Sequence, residues 1–219
     1  MIHLENELQH LKDNLIEMWT LVKNQLSKAK EALINDDKDL AREVISVEKR
    51  VNSFELSIDQ VCEHTIALYN PVAIDLRLVL AILKINNNLE RQGDFAKGIA
   101  QFVIYFDAPF DKELLKVSRI VEMFDENMIM LVELIDAFKN ENGTIARKIF
   151  KRDELLDEIN DKTTAVVANY IRSNMENTEQ ALQVLSMIRK LERTGDHSKN
   201  IAEEIIFYTE AKVLKHKKT

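Results

Sequence analysis

The sequence predicts an all-α protein made of two similar three-helix bundles, six long antiparallel helices related by internal duplication. Three observations support this. The chain has only four Gly and two Pro in 219 residues, its apolar residues recur every three or four positions, and one twelve-residue motif occurs twice. Sheet architectures need turn residues at intervals of about ten positions, which this composition cannot supply. Regular spacing by threes and fours is typical of long amphipathic helices.

The composition also limits the environment and the partners. With 46% hydrophobic and 31% charged residues, the chain is too apolar to be disordered. Its single cysteine, Cys62, excludes an intramolecular disulfide, fits a reducing compartment and is predicted to be a small buried apolar residue. A net charge of −7 argues against nucleic acid as the main ligand. We expect no transmembrane segment and no secretory signal, and therefore a cytoplasmic protein.

The first half, residues 1–108, contains three apolar stripes. They cover residues 4–33, 40–68 and 78–103, with Gln92 in the one polar position of the third. Residues 35–37 separate the first two helices and offer carboxylate caps. At the second junction we expect Asn70 to cap the third helix and Pro71 to take its first position.

The second half, residues 109–219, repeats this arrangement after a break at residues 107–110. Its stripes cover residues 114–138, 145–170 and 181–205, and Gly143 is expected in a left-handed position at the end of the fourth helix. Helices of about 30 residues are about 45 Å long. Short connections place consecutive helices antiparallel, which favours two bundles side by side; one irregular six-helix array is the alternative.

The repeated motif indicates duplication of a whole bundle. LERQGDFAKGIA at residues 89–100 recurs as LERTGDHSKNIA at residues 191–202, with eight of twelve positions identical and a constant offset of 102. Both copies place a glycine in mid-helix, at Gly93 and Gly195, where it costs roughly 0.5–1 kcal/mol relative to alanine. A glycine repeated at one helical position predicts close approach, either of another helix or of a bound group.

Each motif also carries two carboxylates on one helix face. Glu90 and Asp94 are four residues apart, as are Glu192 and Asp196. Like charges at this spacing are destabilising by roughly 0.2–0.5 kcal/mol. Asn200 extends the second row, whereas Gly98 removes that position from the first.

The helix before each motif supplies a second row beside its apolar stripe. These rows are Glu48, Asn52 and Glu55 in the first half and Asp153, Asp157 and Asn160 in the second. Antiparallel packing would bring the oxygen-bearing rows together, as a cation site requires. The alternative is a solvated acidic face, paired with neighbouring Arg and Lys side chains. His197 lies about 100° round the helix from Asp196 and is not expected to be a ligand.

The motifs LERQGD and LERTGDHSKNIAEE closely resemble the duplicated signature of the PhoU family. Residues 70–77, NPVAIDLR, also resemble that family's QP-x-A-x-DLR segment, with Asn in place of Gln. The resemblance covers nearly the whole chain. It implies the fold of two three-helix bundles and a homodimer.

The resemblance also implies a function. Members of the family are cytoplasmic regulators that restrain phosphate uptake and phosphate-starvation signalling. They are thought to contact the ATPase subunit of the phosphate ABC transporter and the phosphate sensor histidine kinase. Several members hold metal clusters on acidic rows, so a cation is expected here; Fe, Zn, Mn and Mg all suit such ligands, and its identity stays open.

Carried over by position, the family's metal ligands fall on both halves of this chain. The candidate ligands are Asp153, Asp157, Glu192, Asp196 and Asn200 in the second half, and Glu48, Glu90 and Asp94 in the first. Asn52, where the family more often has Asp, and Gly98 weaken the first site. We therefore expect the second-half site to bind more tightly.

Two functions other than that of a non-catalytic regulator are compatible with the sequence. A carboxylate-bridged metal enzyme, such as a phosphohydrolase or an oxidase, would use the same rows to activate water. Di-metal bundle enzymes, however, use Glu-x-x-His rows, which neither motif contains. A membrane-surface adaptor would use the basic C-terminal tail, which contains Lys212, Lys215, Lys217 and Lys218.

Overall fold

A computed structural model describes residues 2–214 and confirms the all-α class. The helices are α1 (Ile2–Asn35), α2 (Lys38–Tyr69), α3 (Ala73–Tyr105), α4 (Lys112–Val117), α5 (Ile120–Lys139), α6 (Gly143–Ser173) and α7 (Thr178–Glu210). A single 3₁₀ turn, Met175–Asn177, precedes α7. Within the described range, no helix is both long and apolar enough to cross a bilayer.

The junctions of the first half confirm one expected cap and correct another. Asp37 caps α2, since its carboxylate accepts hydrogen bonds from the backbone N–H of Asp39 and of Leu40 at 3.0 and 2.9 Å. Asn70 does not cap α3. It lies in the left-handed region with φ 45° and ends α2, and α3 begins at Ala73, two residues beyond Pro71. An asparagine tolerates this conformation better than most residues.

The predicted fourth helix is broken into α4 and α5. Arg119 takes a left-handed conformation with φ 57°, and its guanidinium contacts Glu122 at 2.7 and 2.8 Å. The break changes the helical register, so that Ile120 and Met123 are buried while Val117 and Val121, which the stripe placed in the core, are only partly buried. A periodicity count assumes one register and does not detect such a change.

The turn before α6 corrects a second expectation. The left-handed residue is Glu141, with φ 53°, and not Gly143, which is the first residue of α6. Asn142 caps this helix through hydrogen bonds from Thr144 N and Ile145 N at 3.0 and 3.2 Å. The turn therefore uses an asparagine cap where a glycine was expected to end the preceding helix.

The helices pack as two bundles, α1–α3 and α4–α7, joined through α1 against α5 and α3 against α7. Trp19, Phe138 and Tyr208 meet where α1, α5 and α7 come together, with ring centroids about 6 Å apart. All three are buried, so Trp19 belongs to the core. Cys62 is buried as predicted.

The contact between the halves relates the two motifs by a pseudo-twofold axis. Gln92 Nε2 donates to Thr194 O and to Ser198 Oγ, each at 2.9 Å. Gln92 and Thr194 are equivalent positions of the repeat. Because equivalent residues touch, the axis passes between them, and α3 and α7 cross it antiparallel. This arrangement agrees with duplication of one bundle; the boundary at residues 108 and 109 stays a prediction.

The basic C-terminal tail is described only at its start. Lys212 Nζ lies 3.0 Å from Glu210 Oε2, in an ion pair within the chain. Lys215, Lys217 and Lys218 lie outside the described residues, and their role at a membrane surface stays untested.

Candidate functional site

The acidic rows lie on facing helices, α2 with α3 and α6 with α7. In the second pair, Gly195 permits the close approach. A Cβ atom there would lie 2.6 Å from Asp153 Oδ1 and closer still to Leu156 Cδ1. The packing around Gly93 is less tight, since a Cβ atom there would lie 3.1 Å from Gln25 Oε1. Of the two explanations for the repeated glycine, the structure supports helix packing.

In the second half, a lysine joins the two rows. Lys199 Nζ contacts Asp153 Oδ2 on α6 and lies 2.7 Å from Asp196 Oδ1 on its own helix. Burial raises the pKa of Asp153 to about 6, although the bond to Lys199 opposes that rise. Burial alone would lower the pKa of Lys199, but its two carboxylate partners raise it overall. The lysine is therefore charged and neutralises part of the cluster.

The other predicted ligands of this half differ in how close they lie to the cluster. Glu192 is half-buried, and its pKa is raised by burial and by the charges of Asp196, Asp157 and Asp153, which places it within the cluster. Asp157 is exposed at its edge. Asn200 points elsewhere, since its Nδ2 donates to Asn88 Oδ1 on α3 at 3.2 Å. Eight residues advance a helix about 80° beyond two full turns, so Asn200 lies at the edge of this face, within reach of α3.

The first half contains the equivalent arrangement with fewer charges. Lys97 Nζ lies 2.9 Å from Glu48 Oε1, and Asn52 Nδ2 donates to the same oxygen at 3.0 Å. The bond to Lys97 lowers the pKa of Glu48. Asn52 occupies the position equivalent to Asp157 and contributes no charge.

Glu90 and Asp94 lie beside this pair on α3. Burial and the charge of Asp94 raise the pKa of Glu90 to about 7, against an ordinary value of 4.5. Burial and the charge of Asp59 also raise the pKa of Glu55. At neutral pH Glu90 is therefore partly protonated, and the three candidate ligands Glu48, Glu90 and Asp94 carry less than their formal charge of −3.

The donor set fits a hard cation, particularly in the second half. Carboxylates of two facing helices, Asp153 on α6 with Glu192 and Asp196 on α7, lie in one cluster there, and hard cations bind such oxygens. Asp153 Oδ1 is buried and has no hydrogen-bond partner. As the side chains stand within residues 2–214, no three His, Cys, Asp or Glu residues are grouped to hold a metal, and Lys199 supplies the positive charge. Metal binding therefore stays a prediction, in which Asp153, Asp157, Glu192 and Asp196 would be the ligands.

Neither Lys199 nor Lys97 was predicted from the sequence to connect the two rows. The available signal was the identical lysine at the ninth position of both motif copies, three residues after each aspartate. His197 faces the other half, with Nδ1 2.7 Å from Asn88 Oδ1 and its ring 5.6 Å from that of Phe95.

The raised pKa of Glu90 predicts a pH-dependent loss of stability. The folded state binds this proton more tightly than the unfolded chain, so stability falls as pH rises from about 4.5 to about 7. We expect Glu90→Gln to exceed the wild type in stability at pH 8 by on the order of 1 kcal/mol, because the residue is partly solvated. At pH 4.5 the difference between the two proteins should have largely disappeared. Urea unfolding with chelator at both pH values measures this, and a constant difference would contradict it.

Together, the fold and the site define a duplicated helical-bundle protein with an acidic helix pair in each half. The PhoU-domain family model matches residues 15–103 and 120–205, one copy in each bundle. The chain belongs to the PhoU family.

Individual relatives match nearly the full length. The chain is 33% identical over 215 residues to the phosphate-specific transport system accessory protein PhoU homolog 1 of Thermotoga maritima. The match covers 98% of this chain and 92% of the relative. The Escherichia coli accessory protein PhoU is 32% identical, with 96% and 86% covered. The crystal structure of PhoU from Pseudomonas aeruginosa superposes with a TM-score of 0.88 at 29% identity, covering 95% of this chain and 99% of that one.

Proposed function

We propose that this protein is a non-catalytic cytoplasmic accessory protein of phosphate-specific transport. In this role it lowers phosphate uptake and starvation signalling by contacting the transporter's ATPase subunit and the phosphate sensor kinase. The observation that carries the proposal is the match over nearly the whole chain to accessory proteins of that system. The same resemblance supports a homodimer.

The geometry of the acidic rows supports a non-catalytic role. The most buried carboxylate, Asp153, is held by Lys199 in an ion pair, and Glu48 is held in the same way by Lys97. A lysine that stays charged cannot act as a base, and a carboxylate held by it is a poor nucleophile. Phosphatase turnover that disappears in Asp153→Asn and in Asp196→Asn would instead favour the alternative, a carboxylate-bridged metal enzyme.

We also propose that a cation binds the second-half row, with the first-half row as a weaker site. When bound, the cation would neutralise the clustered carboxylates and join α6 to α7. The buried unpartnered oxygen of Asp153 and the raised pKa of Glu192 support this, since both report charge that the protein neutralises incompletely. Fe, Zn, Mn and Mg are compatible with the ligands.

The proposed regulatory role predicts loss of phosphate control in a null strain. Without the protein, we expect starvation-induced genes to be expressed in phosphate-rich medium, because the transporter and kinase lose their restraint. Phosphate uptake and a starvation-promoter reporter measure this, and complementation with the wild-type chain serves as the control. Unchanged uptake together with an unchanged reporter would contradict the proposed role.

A further inference from the structure

In the second acidic helix pair, α6 with α7, a lysine of the protein itself supplies a positive charge between the two rows. The Lys199 ammonium contacts the α6 row at Asp153 and the α7 row at Asp196, where its Nζ lies 2.7 Å from Oδ1. An ion that bridges the two rows needs these same carboxylates. The lysine stem is only partly exposed, so the ammonium is held within the helix interface and is not a freely moving surface charge.

Lys199 does not occupy all the hydrogen-bond acceptor positions of the Asp153 carboxylate. This side chain is only 3% exposed, and its Oδ1 is buried without a hydrogen-bond partner while Oδ2 contacts Lys199. A carboxylate has about four acceptor positions, and a single monovalent ammonium leaves part of the buried charge without compensation. A divalent cation with several oxygen ligands would neutralise the cluster more completely.

The first half repeats this arrangement. Lys97 is the repeat equivalent of Lys199, and its partner Glu48 is the row equivalent of Asp153. Here Glu48 also accepts a hydrogen bond from Asn52, and Lys97 pairs with this one carboxylate where Lys199 pairs with two. A lysine at the same position of both motifs, reaching across to the same row, shows that the arrangement belongs to the duplicated unit.

We infer that Lys199 is a tethered competitor of the metal ion, which must displace its ammonium from Asp153 and Asp196 in order to bind the second acidic row. This inference rests on the proposed metal binding and adds a regulatory element to that site. The lysine holds α6 and α7 together without metal, and sets the metal concentration at which an ion replaces it. The displaced ammonium then moves toward solvent and changes the charge of the exposed face.

The decisive experiment titrates protein purified without a tag with Mn²⁺ and measures free Mn²⁺ by electron paramagnetic resonance. We expect Lys199→Met to bind Mn²⁺ about tenfold or more tightly than the wild type, because the competing ion pair is gone. Lys162→Met is the matched control: it makes the same charge change on α6, at an exposed lysine paired with Glu158. Its Mn²⁺ affinity should equal that of the wild type.

Labelling of the wild-type chain with acetic anhydride gives a second readout that needs no variant. Mass spectrometry should show Lys199 reacting several-fold faster with saturating Mn²⁺ than with chelator, because its ammonium has left the carboxylates. The labelling rate of Lys162 should not change. This measurement decides the question even if Lys199→Met folds poorly.

Equal Mn²⁺ affinity of Lys199→Met and wild type, with no change in Lys199 labelling, would show that the lysine does not compete, although the metal site would stand. Absence of Mn²⁺ binding to both proteins would remove the metal site itself, and the competition with it.

Discussion

Replacing Gly195 with alanine is expected to lower the free energy of unfolding by about 2–3 kcal/mol, the range typical of overpacking in a core. The new Cβ would lie 2.6 Å from Asp153 Oδ1 and would collide with Leu156 Cδ1, and both atoms belong to buried side chains of α6. Alanine gains roughly 0.5–1 kcal/mol in helix propensity, which does not offset the collision. To relieve it, Asp153 and Leu156 must change position, which disturbs the Asp153–Lys199 ion pair and the packing of α6 on α7.

Gly98→Ala is the matched control within the same repeat. A Cβ at this position meets only the flexible end of Lys190, at 3.1 Å, so the side chain can move aside. This variant should be neutral or more stable by up to roughly 1 kcal/mol. Urea unfolding of both variants, with chelator present, measures the difference. If Gly195→Ala and Gly98→Ala unfold at the same urea concentration, the close packing at Gly195 is wrong.

Most of the fold was predictable because helical periodicity and duplication are local or repetitive signals. The stripes located the long helices, and the constant offset of 102 between motifs indicated the two bundles. The break at Arg119 was not predictable in this way, since a left-handed arginine leaves no periodic signal. The same holds for Asn70 and Glu141, whose left-handed backbone depends on how the adjoining helices are packed.

The candidate site was predictable as rows of residues and not as a set of contacts. Spacing placed Asp153 and Asp196 on facing helices, where Lys199 now joins them. Spacing did not reveal that this flexible lysine reaches across to α6, because side-chain reach and direction depend on the neighbouring helix. Spacing also grouped Asn200 with the acidic residues of its helix, although the Asn200 side chain contacts Asn88 on α3.

The two acidic rows differ in the charge that they offer a cation. Counting the candidate ligands alone, Asp153, Asp157, Glu192 and Asp196 carry a formal −4 in the second half, against −3 for Glu48, Glu90 and Asp94 in the first. Glu55 lies close enough to Asp94 to interact with it but is not among the candidate ligands. The pKa of Glu90, raised to about 7, reduces the first charge further at neutral pH. A hard cation binds more tightly where the ligand charge is higher. The second-half row should therefore account for most of the bound metal.

The double variant Asp153→Asn with Asp196→Asn is therefore expected to lose most of the metal bound by the wild type. A ligand that binds only the folded state at about 100 times its dissociation constant adds about 2.7 kcal/mol of stability, so the rise in melting temperature caused by metal should disappear with it. The difference between melting temperatures in Mn²⁺ and in chelator isolates this effect from the loss of the lysine ion pairs, which is present in both buffers.

The matched first-half variant, Glu48→Gln with Asp94→Asn, removes the same number of carboxylates and should keep most of the metal and most of the temperature difference. If the wild type itself melts at one temperature in both buffers, the rows are neutralised by Lys97 and Lys199 alone, and the metal-binding hypothesis fails.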